Sequence, residues 1–384
     1  PRCSIYVPHM DTIREQPPKD PPIRGRGAQS GDASARFGLN EREADGDWRD
    51  MAETLDGPAP RLRTEVTEES PRSILSFNQS PDVPFDRSVN AYRGCEHGCV
   101  YCFARPTHAY HDLSPGLDFE TRLFAKPHAA ELLRATLAKP KYRPRPLAMG
   151  TNTDPYQPIE KKYQITRGVL EVLARFNHPV SITTKSAMVC RDIDVLAPMA
   201  AKGLVNVALS LTSLDNKLAR TMEPRAPTPQ KRLDAMATLT SAGIPVAVMA
   251  APMIPVLNDA ELERILERAA EHGALAAGYI LLRLPLEIKD LFTEWLDAHV
   301  PDMAAHVLSQ VSDTRDGAMY VSDFHTRMTG SGERAELLAK RFELACKRFC
   351  LKPARGDGYQ MDASLFKTPP NLLHPKPGNQ LRLL

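Results

Sequence analysis

The alternation of short apolar runs with amphipathic stretches is the feature that most constrains this chain. Each apolar run has the length of a buried strand, and each amphipathic stretch repeats its apolar residues at helical spacing. Such alternation favours a parallel sheet whose strands are joined by right-handed crossovers. The predicted strands are Ser88–Tyr92, Leu147–Gly150, Pro179–Thr184, Leu204–Thr212, Ile244–Ala250 and Ala277–Leu282. The predicted helices between them are Ile159–Phe176, Ile193–Lys202, Pro229–Ala242 and Asn258–Gly273.

These six strands, counted as six β-α units, are fewer than the eight that a closed barrel requires. Periodicity alone therefore allows an open barrel or a doubly wound sheet. Composition divides the chain into three parts. Residues 1–70 are rich in Pro, Gly and charged side chains, which predicts a flexible segment. Residues 71–285 form the predicted α/β core. Residues 286–384 form a predicted helical extension, with one extra strand at Gly317–Ser322 and an amphipathic helix over Gly332–Cys350.

Three cysteines follow the first predicted strand at a spacing of C-x3-C-x2-C: Cys95, Cys99 and Cys102. Gly94 and Gly98 flank them, and glycine lets the backbone fold tightly around a compact group. Three thiolates on one loop suit a [4Fe–4S] cluster. Because the sequence places no fourth cysteine nearby, one iron would lack a protein ligand and could bind an exogenous molecule.

Three other kinds of site use similar cysteine patterns. A structural zinc site would need a second ligand pair, for which His108 and His111 are available in the sequence. A disulfide would need an oxidising compartment, and the seven unevenly spread cysteines argue against a disulfide framework. A ferredoxin would carry a fourth cysteine after the third. The spacing and the aromatic Tyr101 together favour the cluster with an open iron.

This stretch, with Tyr101 immediately before the third cysteine, resembles the C-x3-C-x-aromatic-C signature of the radical S-adenosylmethionine (SAM) superfamily. The resemblance implies that Cys95, Cys99 and Cys102 hold the cluster, whose open iron chelates SAM. It implies that an electron from the cluster cleaves SAM to methionine and a 5′-deoxyadenosyl radical. It further implies an α/β fold of the partial (βα)6 barrel type, a place for Tyr101 near the adenine, and an electron donor of the flavodoxin or ferredoxin type.

Polar side chains follow several of the predicted strands. Asn152 and Asp154 come after the second strand, Lys185 after the third, and Ser210 near the end of the fourth. Each has an ordinary structural explanation, such as a turn, a helix cap or a solvated lysine. The carboxyl ends of parallel strands meet at one edge, however, where the chemistry of such folds gathers. Together these residues predict a ligand-binding wall beside the cysteines.

The later motifs resemble those of the spore photoproduct lyase branch of the superfamily. In chain order they are Asn152–Asp154, Thr184–Lys185, Ser210, Met222–Pro224, Arg232 and Ala251–Pro252. The resemblance implies that Lys185 and Ser210 help to hold SAM and that Asn152 and Asp154 border its amino acid or ribose end. It also implies that Glu223 and Arg225 stabilise the loop after the fourth strand. Thr151 stands where that lyase has a hydrogen-donating cysteine, so this chain lacks the thiol that the lyase route requires.

The formal net charge of +2 gives no global electrostatic argument for nucleic acid or a membrane surface. No apolar run approaches the roughly 18 residues of a membrane span, and we expect a soluble cytoplasmic protein. The sequence therefore predicts a radical SAM enzyme whose substrate it does not identify. Repair or modification of nucleic acid is an alternative within that class. A non-catalytic iron–sulfur or zinc module that binds a partner is the alternative outside it.

Overall fold

The computed structural model of the chain describes residues 23, 25–32, 34–37, 62–354 and 361–369. Its strands are β1 Glu65–Glu68, β2 Leu75–Phe77, β3 Arg87–Val89, β4 Tyr92–Arg93, β5 Arg122–Ala125, β6 Leu147–Met149, β7 Val180–Thr184, β8 Val205–Ser210, β9 Val246–Met253, β10 Ala276–Leu281 and β11 Lys352–Pro353. Its α-helices are α1 Asp118–Thr121, α2 Ala129–Leu137, α3 Glu160–Tyr163, α4 Ile165–Arg175, α5 Ile193–Ala200, α6 Asn216–Met222, α7 Pro229–Ser241, α8 Leu262–Glu271, α9 Ile288–His299, α10 Pro301–Asp313, α11 Thr326–Thr329 and α12 Gly332–Arg348.

One large sheet carries the fold, in the strand order β11-β10-β9-β8-β7-β6-β3-β2. Neighbouring strands from β3 to β11 run parallel, and only β2 pairs antiparallel with its neighbour among the described strands of this sheet. Helices α4, α5, α7 and α8 each follow the strand that the alternation assigned to them. The expected mixed α/β fold with a parallel sheet is confirmed. The carboxyl ends of β6, β7 and β8 consequently lie side by side at one edge.

A smaller sheet, in the order β1-β5-β4, lies at the entrance to the cysteine stretch. Strand β4 pairs antiparallel with β5, so Tyr92 lies opposite Ala125 and Arg93 opposite Phe124. Strand β1 pairs parallel with the other edge of β5. This sheet therefore fixes the backbone that leads directly into Cys95.

The carboxyl-terminal part is helical, as expected, and packs on the core. Trp295 and Phe292 of α9 stack with ring centroids 5.7 Å apart and share a buried apolar cluster with Val100 of the cysteine stretch. The predicted strand at Gly317–Ser322 is wrong. Gly317 has a φ of +86°, which turns the chain there, and the outer edge of β10 pairs with β11 instead. No described helix combines the length and apolarity needed to cross a bilayer.

The described parts of the segment 1–70 contact the core, while its predicted flexibility stays a prediction. Strand β1 belongs to the small sheet, and Arg26, Ala28 and Ser34 are buried. Residues 25–32, which we call the N-terminal strap, run beside the loop that leads to α1. The Leu117 N–H donates to Ser30 O at 3.1 Å, and a β-carbon on Gly116 would lie 2.1 Å from the same oxygen. Most of segment 1–70 lies outside the described residues.

Candidate active site

The cysteine loop, residues 94–103, depends on two glycines with left-handed backbone angles. Gly94 and Gly98 have φ values of +71° and +67°, which side-chain-bearing residues rarely adopt. A β-carbon on Gly94 would lie 2.8 Å from Phe119 O, and one on Gly98 would lie 2.6 Å from Glu120 Oε2. The loop therefore folds tightly because these two positions carry no side chain.

All three cysteines of the loop are free thiols, and Cys95 and Cys99 are buried while Cys102 is half-buried. Burial raises the pKa of Cys95 well above its usual value, and the nearby charges of Asp154 and the other two cysteines raise it further. Burial likewise raises the pKa of Cys99 to about 12. Thiolates ligate metals, and a bound cation offsets the cost of a buried negative charge. Three thiols on one loop, two of them buried and one half-buried, thus fit an iron–sulfur cluster.

The zinc alternative finds no support in this geometry. Among the described residues, no three His, Cys, Asp or Glu side chains converge closely enough to hold a single metal ion. His108 Nε2 lies 2.8 Å from Arg122 O, and its ring packs edge-on against Phe119. His111 packs against Phe124. These histidines belong to the wall behind the loop. Because the three thiols do not converge on one point, they suit a cluster, whose ligands are spread over several irons, better than a single ion.

The loop after β6 holds one side of the cysteine loop. Thr153 Oγ1 donates to Gly94 O at 2.6 Å, and Gln157 Nε2 donates to the same oxygen at 3.2 Å. The Glu96 N–H donates to Gln157 Oε1 at 2.9 Å. Gln157 is fully buried. The sequence analysis did not single it out, because nothing in a polar, proline-flanked stretch marks one amide as a long-range partner.

Asp154 joins three segments through its carboxylate. It accepts hydrogen bonds from Thr184 Oγ1 at 2.6 Å, from Lys185 N at 2.9 Å and from Tyr156 N at 2.9 Å. Its Oδ2 also lies 3.3 Å from His97 Nδ1 in the cysteine loop. Burial alone would raise the pKa of Asp154, but His97 and these hydrogen bonds lower it to about 2. Asp154 is therefore a carboxylate that positions the ends of β6 and β7 relative to the cysteines.

The loop after β8 holds the other side through a second buried carboxylate. Glu223 accepts from the Tyr101 hydroxyl and from Thr212 Oγ1, the latter at 2.6 Å, and forms an ion pair with Arg232. Arg232 also donates to Ser210 O at 3.0 Å. Burial would raise the pKa of Glu223, but Arg232 above all lowers it to about 2. The Tyr101 hydroxyl is thus bonded to Glu223 and Thr212. The expected contact of the Tyr101 ring with adenine stays a prediction.

Arg225 and its neighbours add backbone contacts to this side. The Arg225 guanidinium pairs with Glu96 at 2.9 Å, and its N–H donates to His97 O at 3.3 Å. The Val100 N–H donates to Met222 O at 3.1 Å. Glu223 and Arg225, which the sequence analysis assigned to the loop after the fourth strand, therefore also join that loop to the cysteine loop.

The predicted SAM-contacting residues are brought together at the carboxyl edge of the sheet. Lys185 follows β7, Ser210 ends the neighbouring β8, and the Lys185 Nζ atom lies 5.7 Å from the centre of the Tyr101 ring. Asn152 follows β6 on the other side, where its N–H donates to Asn90 Oδ1 at 3.0 Å. These placements agree with a shared pocket, while the contacts themselves stay predictions.

The N-terminal strap supports the cysteine loop from behind through a buried ion pair that sequence analysis missed. Glu120 and Arg105 are fully buried and 2.5 Å apart. Glu120 also accepts the backbone N–H groups of Gly27 and Ala28, at 3.1 and 2.9 Å. Arg105 donates to Cys99 O at 2.8 Å. These partners are distant in sequence, so no local pattern could have revealed the pairing.

Comparison with known proteins decides the family. Residues 89–269 match the model of the radical SAM superfamily. This chain belongs to the radical SAM superfamily. Members of that superfamily are enzymes that normally use a [4Fe–4S] cluster and SAM and need a reductant. The matched range contains the cysteine loop and the ends of β6, β7 and β8, so the resemblance on which the sequence analysis relied is confirmed.

Two curated proteins are similar to this chain in sequence. An uncharacterised protein of Mycobacterium tuberculosis is 40% identical over 235 residues, which cover 60% of this chain and 69% of the relative. An uncharacterised protein of Methanocaldococcus jannaschii is 30% identical over 173 residues, which cover 45% of this chain and 62% of the relative.

Solved structures of spore photoproduct lyase have a similar fold. A mutant of that lyase gives a TM-score of 0.55 at 13% identity, covering 75% of this chain and 81% of the lyase chain. The lyase complexed with a dinucleoside spore photoproduct gives the same TM-score, identity and coverage. At 13% identity this comparison shows that the two proteins share a similar fold, and it shows nothing more.

Proposed function

We propose that this radical SAM enzyme binds a [4Fe–4S] cluster through Cys95, Cys99 and Cys102 and cleaves SAM reductively. The observation that carries the proposal is the loop of three close thiols, held on one side by Gln157 and on the other by Glu223. When bound, the cluster supplies the electron that breaks the sulfonium C5′–S bond and yields methionine and a 5′-deoxyadenosyl radical. The side chains around the loop bind and orient the reactants.

Five residues are assigned to SAM. The Lys185 ammonium suits the carboxylate of the methionine moiety, and the Ser210 hydroxyl donates beside it. The Asn152 amide borders the amino acid or ribose end, where Asp154 fixes the loop that carries it. Tyr101 presents its ring toward the adenine while Glu223 holds its hydroxyl. A half-buried lysine over an aromatic ring makes a defined binding corner.

The parallel sheet supports a partial (βα)6 barrel as the architecture, with residues 71–285 as the core and 286–384 as an extension of it. The free thiols of the described chain suit a reducing compartment such as the cytoplasm. A small electron donor of the flavodoxin or ferredoxin type would supply the electron. A lyase or a transferase reaction is compatible with this arrangement.

Anaerobic reconstitution tests the proposal. The protein should bind about four irons, as one cube requires, and with dithionite and SAM it should release methionine and 5′-deoxyadenosine. Cys99→Ala should abolish cluster binding and product release. Cys190→Ala is the matched control, because Cys190 lies between β7 and α5, away from these ligands, and contacts Ala235 O. A Cys99→Ala protein that still produces 5′-deoxyadenosine would refute the ligand assignment, and a wild type that binds no SAM would favour a non-catalytic module.

Modification of nucleic acid is a second candidate, favoured by the fold shared with a lyase complexed with a dinucleoside spore photoproduct. Thr151 contacts Asn90, with Asn90 Nδ2 3.1 Å from Thr151 Oγ1. A hydroxyl is a far poorer hydrogen-atom donor than a thiol, so reversal of a lesion through a cysteine at this position is disfavoured. A modification that needs no such donor fits better.

A further inference from the structure

Arg283 and Phe103 form a cationic and aromatic pair beside the cysteine loop. Phe103 directly follows Cys102, and its side chain is 49% exposed. Arg283 comes just after β10, and its guanidinium carbon lies 5.2 Å from the centre of the Phe103 ring. An exposed ring and a guanidinium thus meet next to the cysteines, on the β10 side of the sheet rather than the β7 and β8 side assigned to SAM.

A second arginine lies behind the first. Arg315 is 1% exposed and donates to Leu282 O and Thr326 O, each at 2.9 Å. Burial above all, together with the positive charge of Arg283, lowers the pKa of Arg315 to about 10. Two like charges in partly buried surroundings repel each other, so an anion that reaches this place would be attracted by both.

The pair differs from two fully buried arginines that also lie near the cysteine loop. Arg105 is paired with Glu120 and Arg232 with Glu223. Within the described residues, neither Arg283 nor Arg315 has a carboxylate partner, and the buried Nε atom of each has no hydrogen-bond acceptor. Among the described residues, the Arg283 guanidinium contacts Met328 Sδ at 3.4 Å and the Phe103 ring. A buried charged donor without an acceptor is destabilising, and an anion bound at Arg283 would offset part of that cost.

We propose that Arg283 binds a phosphate group of the substrate and that Phe103 stacks on the adjoining base. Guanidinium groups match phosphate geometry, and exposed rings beside arginine are typical platforms for unpaired bases. A ligand that offers an anion and a flat ring side by side is a nucleotide unit, and the stacked base must be unpaired. The substrate is accordingly a single-stranded or locally opened nucleic acid. This inference rests on the proposed function and assigns its substrate class.

Binding of oligonucleotides to the reconstituted protein in the presence of SAM tests this. The probe is a fluorescein-labelled single-stranded DNA of about twelve nucleotides, within the usual footprint of such sites, and its RNA counterpart, followed by anisotropy without oxygen. Arg283→Gln should weaken binding about tenfold. It should also reduce the slope of log affinity against log salt concentration by about one. Phe103→Leu should weaken binding about tenfold with an unchanged salt dependence. The exposed position of Phe103 makes loss of folding an improbable cause.

The chain offers a matched control pair on α12. The Arg348 guanidinium carbon lies 5.3 Å from the centre of the Phe349 ring, away from the cysteine loop. Arg348→Gln and Phe349→Leu should leave the affinity unchanged. The inference is overturned if Arg283→Gln binds both strands like the wild type, or if SAM affinity falls in parallel with it, since the arginine would then serve the SAM carboxylate. Oligonucleotide binding needs no SAM cleavage, so failure of the proposed function would give a different result. The protein would then form no 5′-deoxyadenosine but would still bind the oligonucleotide in a way that depends on Arg283.

Discussion

His97 Nδ1 and Asp154 Oδ2 lie 3.3 Å apart, and this contact joins the cysteine loop to the loop after β6. Both side chains are almost fully buried, so the carboxylate cannot be rehydrated if its partners are lost. Asp154 fixes the β7 end at the same time, through Thr184 and Lys185. One side chain therefore sets the distance between the predicted cluster ligands and the predicted SAM-binding lysine.

Asp154→Asn should loosen this arrangement. An amide cannot accept all the hydrogen bonds that the carboxylate accepts, and we expect a loss of about 2 kcal/mol in the free energy of unfolding, with faster iron release to a chelator. Urea unfolding and the decay of cluster absorbance measure the two effects. Asp194→Asn is the control, because Asp194 is exposed and pairs with Arg167 on the surface. Equal iron release from both variants would contradict the positioning role.

The Glu223–Arg232 pair predicts an acid-sensitive stability. The pKa of Glu223 is lowered to about 2 in the folded protein, against about 4.3 in an unfolded chain. A lowered carboxyl pKa contributes stability that is fully present above about pH 4.3 and is lost as the pH falls toward 2. Glu223→Gln should cost about 3 kcal/mol at pH 7, because it leaves Arg232 buried without a charge partner.

The difference between wild type and Glu223→Gln should shrink as the pH falls from 5 to 3, when measured by urea unfolding of the metal-free protein. Glu171→Gln serves as the control, since Glu171 is exposed and pairs with Arg167 on the surface of α4. A constant difference across this pH range would show that Glu223 stabilises the fold by packing rather than by its charge.

Lys185→Met should weaken SAM binding by about tenfold, the loss expected for one charge-assisted hydrogen bond. Its iron content should match that of the wild type, because no predicted cluster ligand changes. The measurement is the change in the absorbance or magnetic resonance spectrum of the reconstituted protein as SAM is titrated in. Lys202→Met is the control, with Lys202 bonded to Asn177 at the surface. Unaltered SAM affinity in Lys185→Met would remove Lys185 from the site.

Gly27→Ala tests whether the N-terminal strap supports the cysteine loop. A β-carbon there would lie 1.7 Å from Gly98 O, so one of the two backbones must move. We expect a lower midpoint of thermal unfolding and faster loss of the cluster in air. Gly31→Ala is a close control, because its β-carbon would meet only Leu117, at 3.8 Å. If both variants behave alike, the strap has no role at the loop.

The sequence predicted those parts of the molecule whose information is local. Strands β6 to β10 were found because each is an apolar run bounded by turn residues. Lys185 and Ser210 do lie where parallel strands end at one edge, while their role in binding SAM stays a prediction. The cysteine stretch was recognisable from its spacing together with the adjacent Tyr101. The strand predicted at Gly317–Ser322 was wrong, because Gly317 turns the chain with a left-handed φ of +86° and the outer edge of β10 pairs with Lys352–Pro353.

What the sequence could not reveal are pairings between distant residues. Glu120 receives the N–H groups of Gly27 and Ala28, and no periodicity links these positions. Residues 25–32 are ordered by such partners elsewhere in the chain, among them the Glu120 carboxylate and the Leu117 N–H. The one local hint was the pair of glycines around Arg26, which permit a close approach of backbones.

The burial of Glu120 has a practical consequence for anyone who shortens this protein. A version that begins at β1 would keep every strand of the sheet and all three loop cysteines. It would nevertheless remove two of the donors to a carboxylate that has no access to water, leaving Arg105 to balance it alone. Such a trimmed protein should be made in parallel with one that retains residue 23 onward, and poor iron loading of the shorter form would reflect its trimming rather than its chemistry.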